Sequence, residues 1–227
     1  MISDFKQIET LFNEINQLLK EKVQVYVIGG VVLLYHGLKP ATKDIDLVIH
    51  GKQEFNAFED ALITAGFERK IPTGVYKKMN LDQILVRDDF QIDAFHKMVC
   101  KRFSLSQGMR KRAKKLLTLP HLNLYLCSNE DIFVFKTFTE REGDLQDCIS
   151  LARRGLDWNS IIDEIQAQIH HSGEDVWITW IGERLDLLME KGLNIPIIDQ
   201  IDTLRNTYFQ ERERTFAKKK KAKKKEI

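Results

Sequence analysis

The chain has 227 residues, of which 43% are hydrophobic and 30% are charged. This composition is ordinary for a soluble globular protein and excludes a chain that is disordered throughout. The length suits one large domain or two small ones. The apolar stretches are too short for a membrane-spanning helix. The first ten residues lack the basic and apolar segments of a secretory signal, so we expect no membrane association.

The cysteines indicate a reducing environment. There are three of them, Cys100, Cys127 and Cys148, and none shares a C-x-x-C spacing with another. This pattern favours neither a disulfide framework nor a structural zinc site. We therefore expect free, buried thiols and a cytoplasmic location.

The formal net charge of +2 hides an uneven distribution. Residues 218–227 contain seven Lys and one Glu, and the rest of the chain carries 28 basic and 32 acidic residues. Seven Lys with nothing apolar to bury predict a disordered tail. A second basic segment, residues 109–115, has five positive charges in seven residues. Either could contact nucleic acid through phosphates, although such tails are also common as solubilising ends.

Hydrophobic periodicity predicts an α+β protein whose first half mixes strands with helices and whose second half is helical. In the first half, helices are predicted at residues 4–20, 31–35, 53–65 and 106–117, and strands at residues 23–28, 44–49, 74–79, 83–86, 90–95 and 122–126. In the second half, helices are predicted at residues 129–139, 144–153, 158–171, 174–190 and 197–216. The predicted domains are residues 1–127 and 128–217, followed by the tail.

Two glycines directly follow the first predicted strand. Gly29 and Gly30 would allow a tight turn and a close approach of the backbone to a ligand. The helix that begins there offers free N–H groups, which can bind phosphate. Alone, such a pair is more often structural than functional.

Two acidic residues lie on the next predicted strand. Asp44 and Asp46 are two positions apart, so a strand would place both carboxylates on one face. Carboxylate pairs of this kind suit Mg²⁺ or Mn²⁺. The alternative is a solvated edge strand, but the apolar residues on the opposite face make that alternative less favourable.

A third acidic residue, Asp93, lies inside the apolar strand predicted at residues 90–95. A buried carboxylate costs several kcal/mol unless it is paired or metal-bound. A solvent-facing strand residue is the alternative interpretation.

These three features together resemble the DNA polymerase beta-like nucleotidyltransferase superfamily, and in particular its minimal, antitoxin- or toxin-like members. The superfamily signature is hG[GS], a spacer, Dh[DE]h and a third acid on a later strand. The chain has Ile28–Gly-Gly, a spacer of thirteen residues, Asp-Ile-Asp-Leu from Asp44, and Ile-Asp-Ala around Asp93. The resemblance covers about residues 5–150 and implies a mixed sheet flanked by helices, followed by a helical region.

The resemblance also implies roles for individual residues. Asp44, Asp46 and Asp93 would be the catalytic carboxylates and would bind Mg²⁺ or Mn²⁺. The nucleoside triphosphate, which we expect to be ATP, would be bound by the residues Gly29, Gly30, Thr42, Lys43 and Lys136. For Lys136 a surface position with its stem on apolar neighbours is the alternative. The stretch containing Arg141, Asp144 and Asp147 is similar to an R-x-K-D-x-x-D motif of small members, with Gly143 in place of the Lys.

The resemblance thus implies an enzyme that transfers an NMP group from an NTP to a hydroxyl acceptor on RNA or protein. Two other hypotheses remain. One is a non-catalytic nucleotide- or RNA-binding module of the same fold, for example half of a toxin–antitoxin pair. The other is a metal-dependent phosphohydrolase, which the lack of closely spaced His ligands disfavours. The sequence does not indicate the oligomeric state.

Overall fold

The computed structural model describes residues 1–71, 83–99, 103–139 and 141–223. The chain divides into two compact units, Met1–Ile132 and Phe133–Ile227. The division lies slightly beyond the domain boundary expected at residue 127. The strand predicted at residues 74–79 lies outside the described residues.

The first unit contains a seven-stranded mixed sheet among its described residues, with the order β3-β4-β5-β2-β1-β9-β8. Its helices are α1 Phe5–Leu18, α2 Gly30–Tyr35, α3 Lys52–Thr64 and α4 Gln107–Arg112, and α5 Asn129–Thr137 begins in it. Its strands are β1 Val23–Ile28, β2 Ile45–Ile49, β3 Glu68–Lys70, β4 Gln83–Arg87, β5 Phe90–His96, β8 Lys114–Thr118 and β9 Leu122–Leu126. A separate two-stranded ribbon pairs β6 Met98–Val99 with β7 Phe103–Ser104. The α+β fold class predicted from the sequence is confirmed.

One face of the sheet is apolar and is covered by helices. Alternate residues of β1 and β2, such as Val25 and Leu47, are fully buried. His96 shares the Leu47 face of the sheet, since each strand alternates faces, and its ring lies 5.6 Å from that of Phe55 in α3. This contact places α3 on the apolar face. Ile45, Leu47 and Ile49 of β2 share this face, so Asp46 and the buried Val48 lie on the opposite one.

The opposite face carries the acidic residues, and we call it the carboxylate face. Strand β2 runs antiparallel to β1 and parallel to β5. The central position of β2, between β1 and β5, brings residues that are far apart in the chain into neighbouring positions.

The predicted helix over residues 106–117 is wrong in its second half. Helix α4 ends at Arg112, and β8 follows and pairs antiparallel with β9. Ser106 caps the helix by accepting a hydrogen bond from the Met109 backbone N–H. The turn that contains Pro120 folds β8 back along β9, so β pairing outweighs the helical propensity of the lysines.

The second unit is helical. After the end of α5 come α6 Glu142–Arg154, α7 Trp158–Ser172, α8 Trp177–Glu190 and α9 Ile198–Lys223. Helix α7 ends at Gly173, which adopts the left-handed conformation that favours glycine. Arg205 of α9 lies directly over Gly182 of α8, where a Cβ would overlap its side chain, and pairs with Asp186 and Asp202. Gly182 thus allows the close packing of α8 and α9.

Helix α9 continues to Lys223, into the segment where the sequence predicts disorder from residue 218. Extending a formed helix costs little per residue, and Lys and Ala are good helix formers. Residues 224–227 lie outside the described residues. None of the described helices combines the length and the apolar character that a membrane crossing requires.

Two of the three cysteines can be placed. Cys127 and Cys148 are buried free thiols, as expected, and Cys100 lies outside the described residues. Burial raises the pKa of Cys148 to about 12, so this thiol stays protonated at neutral pH and is a poor nucleophile.

The buried face of β2 predicts a large mutational effect. We expect Leu47→Ala to lower the free energy of unfolding by about 2–5 kcal/mol because Leu47 is fully buried under the helices. Leu18→Ala is the control, since Leu18 is 36% exposed, and should cost less than about 1 kcal/mol. Urea unfolding measures both. Equal costs would contradict the placement of the core on this face.

Candidate active site

Asp46 and Asp93 are direct neighbours in the sheet. Asp46 of β2 is the register partner of Asp93 in β5 across a parallel pairing. Neighbouring strands lie about 4.8 Å apart, so both side chains leave the same face at nearly the same point. Asp46 is half-buried and Asp93 is 1% exposed. The structure therefore brings together two of the three predicted carboxylates, and Asp93 is not the solvent-facing residue of the alternative interpretation.

A glutamine orients the buried carboxylate. The side-chain amide Nε2 of Gln91 donates a hydrogen bond of 2.9 Å to Oδ1 of Asp93. Gln91 lies two residues before Asp93 on β5 and shares its face. The sequence analysis did not select Gln91, although polar residues at positions 91 and 93 of an apolar strand were a signal for it.

Gly29 lies directly against the Asp46 carboxylate. Its backbone has φ +68° and ψ −144°, a region that is open mainly to glycine. A Cβ at this position would overlap Oδ2 and Cγ of Asp46. The requirement for glycine at position 29 therefore comes from the backbone conformation and from the adjacent carboxylate.

Gly30 and Thr42 form a second close contact. A Cβ on Gly30 would lie 2.5 Å from Oγ1 of Thr42. The Thr42 hydroxyl in turn donates a hydrogen bond of 3.2 Å to the backbone oxygen of Asp44. Thr42 is 5% exposed. It thus links the start of α2 to the segment that carries Asp44, which precedes β2 and is half-buried.

The amino-terminal residues hold the same segment in place. The backbone of Ile2 exchanges two hydrogen bonds with that of Thr42, of 2.9 and 2.8 Å. Ile2 is buried, although no periodic pattern marks it in the sequence. Lys43, the next residue, is exposed. Direct contacts or closeness in sequence therefore connect five of the predicted site residues, which are Gly29, Gly30, Thr42, Asp44 and Asp46.

A family model described as "Nucleotidyltransferase of unknown function (DUF6036)" matches residues 6–176. The match covers about three quarters of the chain and includes all the residues of this site. The chain belongs to this nucleotidyltransferase family. The superfamily assignment suggested by the motifs is thereby confirmed.

The other comparisons add little. No curated protein matches the chain significantly. The crystal structure of ANT(2″)-Ia in complex with adenylyl-2″-tobramycin aligns with a TM-score of 0.47 and 11% identity, over 73% of this chain and 98% of that one. TM1012 of Thermotoga maritima, which carries a provisional nucleotidyltransferase assignment, aligns with a TM-score of 0.38 and 16% identity, over 68% and 89%. Both alignments are too weak to support an argument.

The three predicted metal ligands, Asp44, Asp46 and Asp93, would offer only carboxylate oxygens. Within the described residues, no three His, Cys, Asp or Glu side chains are grouped closely enough to hold a metal ion. Asp44, Asp46 and Asp93 are therefore not preassembled as a threefold ligand set. The adjacent carboxylates of Asp46 and Asp93 still fit a hard, oxygen-preferring cation such as Mg²⁺. Metal binding by the three residues stays a prediction.

Lys136 lies in the helical unit and is buried. Its Nζ donates to Oδ1 of Asp144 and Oδ2 of Asp147, each at 2.7 Å, and the side chain is 8% exposed. The surface position considered as an alternative is therefore wrong. Thr139 and Arg141 also bind the Asp144 carboxylate. The motif-like stretch after Lys136 thus forms a buried charge cluster around it.

The glycine contact predicts a specific loss of function. We expect Gly29→Ala to displace the Asp46 carboxylate and to reduce nucleotide transfer at least about tenfold, since misplaced catalytic groups are costly. Gly37→Ala is the matched control. Gly37 also has φ +68°, but a Cβ there meets nothing within 4 Å. The control should lose stability by about 1 kcal/mol and keep its activity. Equal activity losses, measured by pyrophosphate release, would contradict a role for the Asp46 contact.

The Lys136 cluster predicts a pH-dependent stability. Burial disfavours the Asp144 carboxylate, but the Lys136 charge and hydrogen bonds from Lys136, Thr139 and Arg141 outweigh it, so the pKa of Asp144 lies below its usual 3.8. The resulting stabilisation is complete above the unfolded-state pKa and is lost as the pH falls through the lower folded-state value.

We therefore expect Asp144→Asn to reduce the free energy of unfolding at pH 7 by about 1–3 kcal/mol. The difference from wild type should shrink as the pH falls below 3.8. Asp163→Asn is the control, because Asp163 is exposed on α7. Denaturant unfolding across this pH range measures all three proteins. A difference that is independent of pH would contradict the assigned cause.

Proposed function

We propose that the protein is a metal-dependent nucleotidyltransferase that transfers an NMP group from an NTP, with ATP as the first candidate, to a hydroxyl group of RNA or protein. The observation that carries this proposal is the register pairing of Asp46 with Asp93, with the backbone of Gly29 packed against the first. Membership of the nucleotidyltransferase family supports the reaction class.

In the proposed reaction, the acceptor oxygen attacks the α-phosphorus of the NTP. A new oxygen–phosphorus bond forms as the bond to the β-phosphate bridging oxygen breaks, and pyrophosphate leaves with that electron pair. The hydroxyl proton passes to a carboxylate oxygen of Asp93. The hydrogen bond from Gln91 fixes the orientation of that carboxylate.

The phosphates would lie at the turn between β1 and α2. Gly29 and Gly30 allow the backbone to approach the β- and γ-phosphates without obstruction by side chains. Thr42 and the exposed Lys43 border this turn, and Lys43 would contribute positive charge. Asp44, Asp46 and Asp93 would hold Mg²⁺ or Mn²⁺. When bound, the cation would supply charge neutralisation at the phosphates and acidify the attacking hydroxyl.

It stays a prediction that Lys136 neutralises the charge of the leaving pyrophosphate. Its ammonium group is held by Asp144 and Asp147. Phosphate binding by Lys136 would therefore require it to give up at least one of these carboxylates, at a substantial cost in a buried site.

The decisive variant is Asp46→Asn. The amide is nearly isosteric but binds cations poorly, so we expect transfer from an α-labelled NTP to fall by at least about a thousandfold while the fold is retained. The control is Asp60→Asn, which removes an exposed carboxylate on α3. Incubation with each labelled NTP, Mg²⁺ and total cellular RNA and protein, followed by electrophoresis, identifies the donor and the acceptor class together.

Two results would contradict the proposal. If Asp46→Asn melts far below wild type while Asp60→Asn does not, the carboxylate is structural. If the wild-type protein binds NTP but transfers no label to any acceptor, the non-catalytic binding module becomes the better hypothesis.

A further inference from the structure

Helices α8 and α9 lie beyond residue 176, where the match to the family model ends, and the proposed reaction does not use them. The first part of α9 packs against α8 and contains the buried Ile201. Beyond Tyr208, every residue from 209 to 217 is exposed. This stretch of α9 is therefore a single helix without a covering element in the part of the chain that the structure describes.

Two exposed aromatic side chains lie on the uncovered stretch. Phe209 is 52% exposed and Phe216 is 71% exposed. They are seven residues apart, which is about two helical turns, so they lie on the same side of α9. Single helices shorter than about 12–15 residues are only marginally stable in water. Burial of this aromatic pair against a partner would therefore stabilise the stretch, and the pair is a candidate contact surface.

A groove between α8 and α9 begins at Phe209. Its volume is about 350 Å³, and it is lined by Thr179, Glu183, Asp202, Arg205, Asn206 and Phe209. This volume is at the lower end of the range for small-molecule sites, about 300–1,000 Å³, and is ample for one aromatic side chain. Phe209 thus connects the uncovered stretch of α9 with an adjacent groove.

The cation in the groove is already matched by carboxylates. The guanidinium of Arg205 lies 2.6 Å from Oδ2 of Asp186 and also pairs with Asp202. Two carboxylates therefore hold one cation, and this cluster alone leaves a net negative charge.

Further acidic side chains add to this charge. Glu183 in the groove and Asp199 on the first turn of α9 are exposed, and neither forms an ion pair within the described residues. Arg184, which follows Glu183, donates instead to the backbone oxygen of Arg141. The groove and the beginning of α9 are therefore an acidic surface.

The other end of α9 is strongly basic. Residues 218–223, through which the helix continues, contain five Lys and one Ala. Along a continuous helix, Lys218 is separated from Asp202 by about 24 Å, so the basic end cannot reach the acidic groove of its own chain. Two copies of α9 in antiparallel orientation bring each basic end to the acidic groove of the other copy. The charges of this hairpin are thus complementary to those of a second copy.

We propose that the protein forms a two-fold symmetric homodimer in which the α9 helices of two copies pack in antiparallel orientation. Phe216 of each copy enters the groove of the other, beside Phe209. This contact places residues 218–223 along the first two turns of the other α9, close to Asp199 and Glu183. Because the same contact is made twice, the assembly closes at two copies. The homodimer is independent of the proposed reaction.

The aromatic anchor is tested by sedimentation velocity of the full chain over about a hundredfold range of concentration, since dimerisation depends on protomer concentration. The wild type should approach the mass of two chains and not exceed it. Phe216→Ala should raise the dimer dissociation constant at least about thirtyfold, as expected for an aromatic anchor. Ile63→Ala is the control, because Ile63 is 37% exposed on α3, and should dimerise as the wild type does.

The antiparallel orientation is tested by exchanging charges. Glu183→Lys/Asp199→Lys makes the groove basic, and Lys220→Glu/Lys221→Glu makes the end of α9 acidic. Each variant alone should dimerise at least about tenfold more weakly, because like charges then meet. An equimolar mixture of the two should recover dimerisation, since each groove again meets an end of opposite charge. In a parallel pairing the two ends meet each other, and neither variant would lose affinity.

Asp60→Lys/Asp163→Lys is the matched control for the first charge variant, because it changes the net charge equally at exposed positions on α3 and α7. It should dimerise as the wild type does. Circular dichroism melting confirms that each variant is folded, which the exposure of the substituted groove residues favours.

Three results would overturn the homodimer. The first is a wild type that stays monomeric throughout the concentration range, which would leave the groove to a different partner. The second is association that Phe216→Ala and the charge variants leave unchanged, which would place the interface elsewhere. The third is a mixture of the two charge variants that stays monomeric. Growth beyond two copies would equally contradict a closed, two-fold contact.

Discussion

The position of β2 in the middle of the sheet places the carboxylates of Asp46 and Asp93 side by side on one face, and the geometry of the candidate site depends on this register. Asp46 and Asp93 are adjacent because β2 lies between β1 and β5, with its apolar side packed against α3. A one-residue slip of β2 would bury Asp46 under the helices and expose Leu47. The packing of the apolar face therefore fixes the register that keeps Asp46 and Asp93 next to each other.

The neighbours of this pair position both carboxylates. Gln91 donates a hydrogen bond to Asp93, and Gly29 leaves room for the Asp46 carboxylate at the turn into α2. In the helical unit, the buried ammonium group of Lys136 is paired with two carboxylates of its own unit, those of Asp144 and Asp147.

The sequence predicted which residues of the candidate site lie together better than it predicted the structure around them. Gly29, Asp46 and Asp93 could be identified because glycines at a strand–helix turn and acids inside apolar strands contradict the local pattern. The extent of β8 could not be predicted, because a lysine-rich segment is compatible with both a helix and a strand, and the pairing with β9 decides between them. The burial of Lys136 could not be predicted either, because it depends on ion pairs with Asp144 and Asp147, which lie on the next helix.

The backbone bridge between Ile2 and Thr42 makes the start of the chain part of the site. Thr42 is two residues from Asp44, and both hydrogen bonds of the bridge come from the main chain, so the bridge depends on the path of the chain and not on the side chain at position 2. Any residues that precede Met1, whether native or added as an affinity tag, therefore continue from a point close to the turn between β1 and α2. The position of such an addition is consequently a variable in every activity measurement on this protein.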